Sequence, residues 1–128
     1  MNINKFTIKS QEALQQAQQI AQSFGQQQLE NEHIFKGILE VDENVTPFIL
    51  KKLNVNVELF KKVLDSTIQS FPKVSGGDIM FSREAGTTVN EAEIIAKKMN
   101  DEFVSIEHLI LAIFKSKSKV AQILKDQG

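Results

Sequence analysis

"ENEHIFKGIL" at residues 30–39 and "SIEHLILAIF" at residues 105–114 place the same Glu-His pair ahead of an aliphatic run, 75 positions apart. Such a pair can be an acid/base couple, half of a metal site, or the polar start of a helix that the chain uses twice. The aliphatic residues that follow recur at the spacing of an α-helical face. The choice among these interpretations decides whether the sequence indicates an enzyme or a helical scaffold.

The chain contains an internal repeat. Residues 6–53 align with residues 81–128 at the constant offset of 75 without a gap, and two residues separated by this offset are called equivalent below. The identical pairs are Phe6/Phe81, Ala17/Ala92, Ile20/Ile95, Ala21/Ala96, Glu32/Glu107, His33/His108, Ile38/Ile113 and Val45/Val120. Identity alone is modest, and the matched hydrophobic periodicity supports the repeat more strongly.

The first helix of each half carries an apolar stripe at spacings of three and four residues, which is one face of an α-helix. The stripes are Leu14, Ala17, Ile20, Ala21 and Phe24 in the first half and Val89, Ala92, Ile95, Ala96 and Met99 in the second. Thr7 and Ser82 precede these helices. Their hydroxyl oxygens can accept a free amide of the first turn, so we predict them as N-caps.

Further helices are predicted downstream. A second helix begins near Glu30 and near Ser105, and a third, "VTPFILKKL", has Thr46 as the candidate cap and Pro47 at the first helical position. Its counterpart in the second half is "SKVAQILKD". A fourth, "NVELFKKVLDSTIQSF", places four apolar residues on one face: Leu59, Val63, Leu64 and Ile68. No segment shows sustained strand alternation.

The predicted architecture is therefore a single all-α domain of two pseudo-repeated units of three to four helices. We assign repeat one to residues 1–71, the linker to residues 72–80 and repeat two to residues 81–128. Pro and Gly-Gly in "FPKVSGGD" mark the linker, since these residues interrupt helices. Neither half would bury a large core alone, so the two halves should pack as one unit.

Composition limits the function. The 128 residues are 41% hydrophobic and 24% charged, as in ordinary globular domains, and the net charge of −1 gives no basic field for nucleic acid or an anionic membrane. There is no cysteine for a disulfide or a thiolate site. The sequence has no signal-peptide pattern and no apolar run of about 18 residues. We expect a cytoplasmic, monomeric domain without a nucleic-acid or membrane partner.

Catalytic motifs are missing from the sequence. Adjacent Glu32 and His33 project about 100° apart on a helix and do not face each other. Neither H-E-x-x-H, G-x-x-x-x-G-K-[ST] nor G-x-S-x-G occurs. The duplication explains two histidines in equivalent places without a shared site. We therefore predict no catalytic residue, no metal ligand and no cofactor in this chain, and we assign Glu32 and His33 to architecture.

Four segments resemble one known family: "FTIKSQEALQQAQQIA", "ENEHIFKGILE", "SIEHLILAIF" and the ending "VAQILKDQG". Together they are similar to the double Clp N-terminal domain that precedes the AAA+ rings of Clp-family protein unfoldases. The resemblance covers essentially all 128 residues, with both repeats in order. The opening and the ending resemble the ClpB-type disaggregases more than the ClpA and ClpC types, which pair with a protease.

The resemblance implies a substrate-docking module that binds unfolded or aggregated polypeptide through an apolar groove with an acidic rim. It also implies AAA+ modules beyond residue 128 that use ATP and magnesium, a full-length homohexamer, and co-chaperone cooperation at that level. One alternative is docking of a folded adaptor protein, as in the ClpA and ClpC types. A free-standing helical regulator and a small hydrolase are further alternatives.

The resemblance also implies five substrate-binding residues. Thr7, Asp101 and Glu107 match polar positions that line or border the groove of ClpB-type domains. Ile95 and His108 match groove positions that are leucine in some members. Each residue also has an architectural interpretation: Thr7 as an N-cap, Glu107 as a first-turn acid, Asp101 as a turn residue and Ile95 as part of the core stripe.

Overall fold

The fold is all-α, as predicted, in a computed structural model that describes residues 2–74 and 76–127. The described helices are α1 (Ile8–Ser23), α2 (Asn31–Val41), α3 (Val45–Lys52), α4 (Val57–Gln69), α5 (Arg83–Lys98), α6 (Ile106–Lys115) and α7 (Lys119–Gln127). A 3-10 helix spans Ile3–Lys5, and two short strands, β1 (Gln28–Leu29) and β2 (Met80–Phe81), pair in parallel. None of the described helices is both long enough and apolar enough to span a bilayer.

The predicted N-caps of the two long helices are confirmed. The Thr7 hydroxyl accepts the amide of Ser10 at 3.1 Å, and the Ser82 hydroxyl accepts the amide of Ala85 at 3.0 Å. Each bond satisfies one of the amides that the first helical turn leaves without a partner. The local sequence therefore determines where α1 and α5 begin.

The predicted start of the third helix was wrong. Helix α3 begins at Val45, and the carboxylate of Asp42 accepts the amides of Asn44, Val45 and Thr46 and the Thr46 hydroxyl, at 2.7 to 3.2 Å. Thr46 therefore donates to the cap instead of forming it, and Pro47 is the third helical residue. Burial opposes ionisation of Asp42, but these hydrogen bonds outweigh it and lower the pKa of the carboxyl.

The predicted apolar face of α4 was partly right, because Leu64 and Ile68 are on the buried side, but Phe60 and not Leu59 completes it. Phe60, Leu64 and Ile68 are buried, whereas Leu59 is 46% exposed and Val63 only half-buried. The ring of Phe60 packs edge-to-face on Phe35 of α2, with 5.3 Å between the ring centroids. An aromatic ring buries more apolar area than leucine, so it sets the orientation of the helix.

Short strand pairings interlock the two repeats. Leu29 pairs with Phe81, and Phe6 pairs with Val104, both in parallel. Leu29 is equivalent to Val104 and Phe6 to Phe81, so the two pairings are related by the duplication. The segment that enters each repeat thus pairs with the other repeat. Pairings of one or two residues leave no alternating pattern, so the sequence did not reveal them.

One core unites both repeats, and buried apolar residues of every helix belong to it. Helix α1 packs on α2 as α5 packs on α6, while α2 meets α7 and α6 meets α3 across the repeats. The α1–α2 contact is so close that a Cβ atom on Gly37 would lie 2.5 Å from the Ala13 carbonyl oxygen. The equivalent of Gly37 in α6 is Ala112, which fits without such a contact.

Candidate functional site

The repeated Glu-His pair is a helix start in both repeats. His33 and His108 are the third residues of α2 and α6, and each ring Nδ1 accepts the amide of the N-cap residue, Glu30 or Ser105, at 2.9 Å. The N-cap side chain accepts the histidine amide in return. This is a capping box in which histidine replaces the usual Glu or Gln.

The second ring nitrogen distinguishes the two histidines. His33 Nε2 lies 2.7 Å from Gln26 Oε1, and His108 Nε2 lies 2.8 Å from Asp101 Oδ2. Gln26 and Asp101 are equivalent, but Gln26 is buried and donates to the carbonyl of Ile68, whereas the Asp101 side chain is 47% exposed. Burial lowers the pKa of His33 to about 4.

Asp101, His108 and Ser105 resemble a hydrolytic triad only in composition. Ser105 Oγ lies 3.1 Å from His108 Nδ1, but that nitrogen already accepts the Ser105 amide, and the histidine is 3% exposed. A general base needs a lone pair that is free to take the proton of the nucleophile. The arrangement therefore positions the α5–α6 loop. Among the described residues, no cluster of three His, Asp or Glu side chains is arranged to hold a metal ion.

The acids beside the histidines also differ between the repeats. Glu32 is buried, and its Oε2 accepts the amide of Val120 in the first turn of α7 at 2.8 Å. Desolvation raises the pKa of this carboxyl, although the bond from Val120 acts in the opposite direction. Glu107, its equivalent, is exposed. The first-turn acid of repeat one therefore fastens α7, whereas that of repeat two faces solvent.

The five predicted substrate-binding residues fall into two groups. Asp101 and Glu107 are exposed and Thr7 is half-buried, with its amide bonded to the Val104 carbonyl at 3.0 Å. Ile95 is 8% exposed and His108 3%, so their side chains offer little surface to a ligand. The assignment of these residues to substrate binding stays a prediction.

A cavity of about 450 Å³, here called groove two, lies beside the C-terminal half of α5. It is lined by Lys5, Asn90, Glu93, Ile94, Ala96, Lys97, Asp101, Glu102 and Val104. Of the five predicted residues only Asp101 lines groove two. The exposed aliphatic side chain in the lining of this groove is that of Ile94, the neighbour of Ile95. Sequence reasoning missed Ile94, although an isoleucine one position off the core stripe was the available signal.

Repeat one has a related cavity of about 350 Å³, here called groove one. It is lined by Gln18, Gln22, Gly25, Gln26, Gln27, Val74, Gly76, Gly77, Asp78 and Ile79. All four glutamines that line groove one have charged equivalents in groove two: Gln18/Glu93, Gln22/Lys97, Gln26/Asp101 and Gln27/Glu102. Groove one is thus lined by neutral amides and by residues of the linker, whereas groove two is lined by charged side chains.

Repeat two also exposes apolar side chains where repeat one is polar. Ile94, Phe103 and Leu111 are 39%, 46% and 44% exposed. Their equivalents in repeat one are Gln19, Gln28 and Lys36. Ile94 lines groove two, and Phe103 lies between two of its lining residues in the chain. The surface near groove two therefore combines apolar side chains with acids.

Curated relatives match over the whole chain. The chain is 51% identical over 128 residues to the chaperone protein ClpB of Bacteroides thetaiotaomicron and 40% identical over 128 residues to that of Porphyromonas gingivalis. Each alignment covers 100% of this chain and 15% of the relative. The chain therefore spans about 15% of the length of the curated relatives that it matches.

Solved structures and a family model agree on the fold. The Hsp104 N-terminal domain from Candida albicans matches with a TM-score of 0.87 at 19% identity, over 97% of this chain and 82% of that one. The N-terminal domain of the caseinolytic protease associated chaperone ClpD from Arabidopsis thaliana matches with a TM-score of 0.77 at 18% identity, over 98% and 86%. The model of the Clp repeat (R) N-terminal domain matches residues 5–127, so the chain belongs to this family.

Proposed function

We propose that this chain is the substrate-docking domain of a longer ATP-dependent protein disaggregase, and that it binds unfolded or aggregated polypeptide at repeat two. The observation that carries this proposal is the exposure of Ile94, which lines groove two, and of Phe103, which follows the lining residue Glu102 in the chain; both are glutamine in repeat one. The chaperone names of the relatives support it. The adaptor-docking alternative is not favoured, because the two relatives described above, which match over the whole of this chain, are ClpB proteins.

The binding mechanism follows from the lining of groove two and from the exposed Phe103 that lies next to lining residues in the chain. Aliphatic and aromatic side chains of an unfolded client leave water when they contact Ile94 and Phe103, which is favourable in proportion to the apolar area removed. The carboxylates of Glu93, Asp101 and Glu102 favour clients with nearby lysine or arginine. Because the surface is open and small, we expect affinities of about micromolar or weaker, which allows release.

Catalysis by the whole protein is assigned to segments outside this chain. We propose that AAA+ modules with ATP and magnesium supply the mechanical work, that the full-length protein is a cytoplasmic homohexamer, and that it cooperates with co-chaperones. In this proposal the 128 residues bind and deliver clients and perform no chemical step. The small share of the relatives' length that the chain covers is consistent with this division of labour.

The test is an NMR titration of the 128-residue chain with permanently unfolded casein. We expect chemical-shift changes within residues 93–111 and little change at the equivalent residues 18–36. Ile94→Gln and Phe103→Gln, which introduce the residues of repeat one, should each weaken binding about fivefold, because apolar contact area is lost.

Leu59→Gln is the matched control, since Leu59 is as exposed as Phe103 but lies on α4. It should leave the affinity for casein unchanged. A titration without shift changes in residues 93–111, or equal weakening by the control, would contradict the proposed function.

A further inference from the structure

We propose that a client segment docks at groove two by its main chain, donating amides to the carbonyl oxygen of Glu102, which lines the groove, and to that of Asn100, which precedes the lining residue Asp101, as the linker donates to the equivalent carbonyls beside groove one. A lysine or arginine side chain of the client lies against the Glu102 carboxylate. The inference rests on the proposed function and adds how the client is recognised. The two grooves are equivalent, and the linker is already bonded beside groove one.

Groove one shows how this kind of groove binds a chain. The carbonyl of Gly25 accepts the amide of Val74 at 2.9 Å, and the carbonyl of Gln27 accepts the amide of Met80 at 3.0 Å. The side-chain amide of Gln27 also donates to the Gly76 carbonyl of the linker. The linker is therefore an intramolecular ligand, bound mainly through its backbone.

Groove two has the same backbone framework. Gly25 and its equivalent Asn100 both have a left-handed conformation, with φ of 68° and 59°. The next residues, Gln26 and Asp101, donate their amides to the equivalent carbonyls of α1 and α5, each at 2.9 Å. The loops that follow α1 and α5 thus leave their helices in the same way. The carbonyls of Asn100 and Glu102 are the equivalents of the two that hold the linker.

These two carbonyls have no hydrogen-bond donor among residues 2–74 and 76–127. For Glu102 the reason lies in Lys5, the equivalent of Met80. The Lys5 amide donates to the Asn2 carbonyl at 3.0 Å inside the 3-10 helix and does not reach Glu102. Two acceptors that are occupied in groove one are consequently available in groove two, and an extended peptide presents amides along its edge that can reach such acceptors.

The side chains determine which peptide fits. In groove one the Gln27 side-chain amide donates to the Gly76 carbonyl. Its equivalent, Glu102, can only accept when ionised, so an occupant with a carbonyl at that point is repelled and one with a donor is favoured. Lys5 and Lys97 also line the groove, but Glu93, Asp101 and Glu102 outnumber them. A cationic side chain is the strongest donor to a carboxylate.

The linker also explains why clients would use groove two alone. A segment tethered on both sides occupies its groove at a high effective concentration, which a weak external peptide does not overcome. The Gly25 and Gln27 carbonyls are therefore already bonded to the linker and are not available to clients. Groove two has charged side chains where groove one has glutamines.

The first experiment tests the main-chain contacts. The probe is a fluorescein-labelled eight-residue peptide of alternating leucine and lysine, and its affinity for the 128-residue chain is measured by fluorescence anisotropy. Each peptide amide is N-methylated in turn. We expect one or two interior positions to weaken binding about five- to tenfold, the loss of one hydrogen bond each, and the others less than about twofold. A flat profile would overturn the proposal.

The second experiment tests the side-chain preference. Glu102→Gln should weaken binding of the lysine peptide about two- to fivefold and abolish its advantage over a peptide with glutamine for lysine, as expected for an exposed charge pair. Glu12→Gln is the control, because Glu12 is an equally exposed acid on α1 that does not line groove two. Equal effects of Glu102→Gln and Glu12→Gln would contradict the assigned role of Glu102.

The two proposals fail in different ways. If casein shifts residues 93–111 while the N-methyl profile is flat and Glu102→Gln behaves like Glu12→Gln, the main-chain mode is wrong and client docking stands. If neither casein nor the peptide binds, both proposals are wrong.

Discussion

Repeat one and repeat two have the same helical plan but use three equivalent polar positions differently. In repeat one, Gln26 donates to the Ile68 carbonyl of α4, Gln27 to the linker carbonyl of Gly76, and Glu32 accepts from α7. The equivalents in repeat two are Asp101, Glu102 and Glu107, and all three are exposed. One copy binds other parts of the chain with these positions, while the other copy presents acids to solvent.

The difference follows from what lies next to each repeat. Repeat one ends with α4 and is followed by the linker, and these two segments lie next to the loop after α1 and supply partners for its side chains. A buried position without a compensating partner disfavours charge, so neutral glutamines are suited to two of the three places. The exposed places of repeat two tolerate carboxylates at little cost. Duplication thus preserved the backbone and left the side chains free to diverge in function.

The largest expected change in the free energy of unfolding concerns the close α1–α2 contact at Gly37 of repeat one. Gly37→Ala places a methyl group 2.5 Å from the Ala13 carbonyl oxygen, so we expect a loss of about 3 kcal/mol from overpacking. Gly86→Ala is the matched control, because a Cβ atom there meets nothing within 4 Å and alanine is the better helix former. It should stabilise the domain by about 0.5–1 kcal/mol. Urea unfolding followed by circular dichroism measures both, and equal effects would refute the tight α1–α2 contact.

The equivalent acids should give the second-largest contrast. Glu32→Ala removes the acceptor of the Val120 amide at the start of α7, and we expect a loss of about 2 kcal/mol in the free energy of unfolding. Glu107→Ala changes the same residue type at the equivalent exposed position and should cost less than about 0.5 kcal/mol. Similar losses for both variants would show that the cross-repeat cap contributes little.

The buried histidine should make stability depend on pH. The pKa of His33 is about 4 in the folded chain, below its usual value of 6.5, so the unfolded chain binds the extra proton between these values. The contribution of this group to the free energy of unfolding is fully present above pH 6.5 and is lost as pH falls toward 4. We expect a loss of about 2 kcal/mol between pH 7 and pH 5.

His33→Gln isolates this contribution, because glutamine is a normal capping-box residue and does not titrate. The difference in pH slope between the native chain and this variant reports His33 alone. Glu32 is present in both proteins, so its titration cancels from this difference. Its raised pKa has the opposite effect, because it lowers stability as pH rises above 4.5. Identical slopes from urea titrations at pH 5, 6 and 7 would contradict the burial effect on His33.

Removing the two N-caps should change the free energy of unfolding least, and by similar amounts in the two repeats. Thr7→Ala and Ser82→Ala each remove one amide acceptor, at a cost of about 1 kcal/mol. Thr7→Ser keeps the hydroxyl and should change stability by less than about 0.5 kcal/mol. If Thr7→Ala weakens casein binding while Ser82→Ala does not, Thr7 has a role in docking beyond its cap. Equal binding by both variants assigns Thr7 to architecture alone.

Helix positions were predictable wherever the signal was local. The caps at Thr7 and Ser82 and the starts of α2 and α6 depend on residues within one helical turn, and a sequence shows them directly. One error was also local, because the carboxylate of Asp42, four residues before Thr46, caps the start of α3 and was overlooked. The other came from a different helix, because Phe60 is buried against Phe35 of α2 while Leu59 is exposed.

The candidate site was harder to predict, because exposure depends on which segments cover a helix. From sequence, Ile95 and His108 were as plausible as their neighbours for a groove. In the fold both are buried, while Ile94 lines groove two. A repeat alignment could have indicated this difference, because Ile94 is equivalent to a glutamine.

The sequence by itself determined the all-α class, the duplication at an offset of 75 residues, and the interpretation of Glu-His as a helix start. These properties depend on periodicity and short-range hydrogen bonds, which are written in consecutive residues. Only the tertiary structure decided that Glu32 caps α7, that the linker bonds to the Gly25 and Gln27 carbonyls and lines groove one, and that the equivalent carbonyls beside groove two have no such partner. Those outcomes depend on segments far apart in the chain, and no local pattern records which of them come into contact.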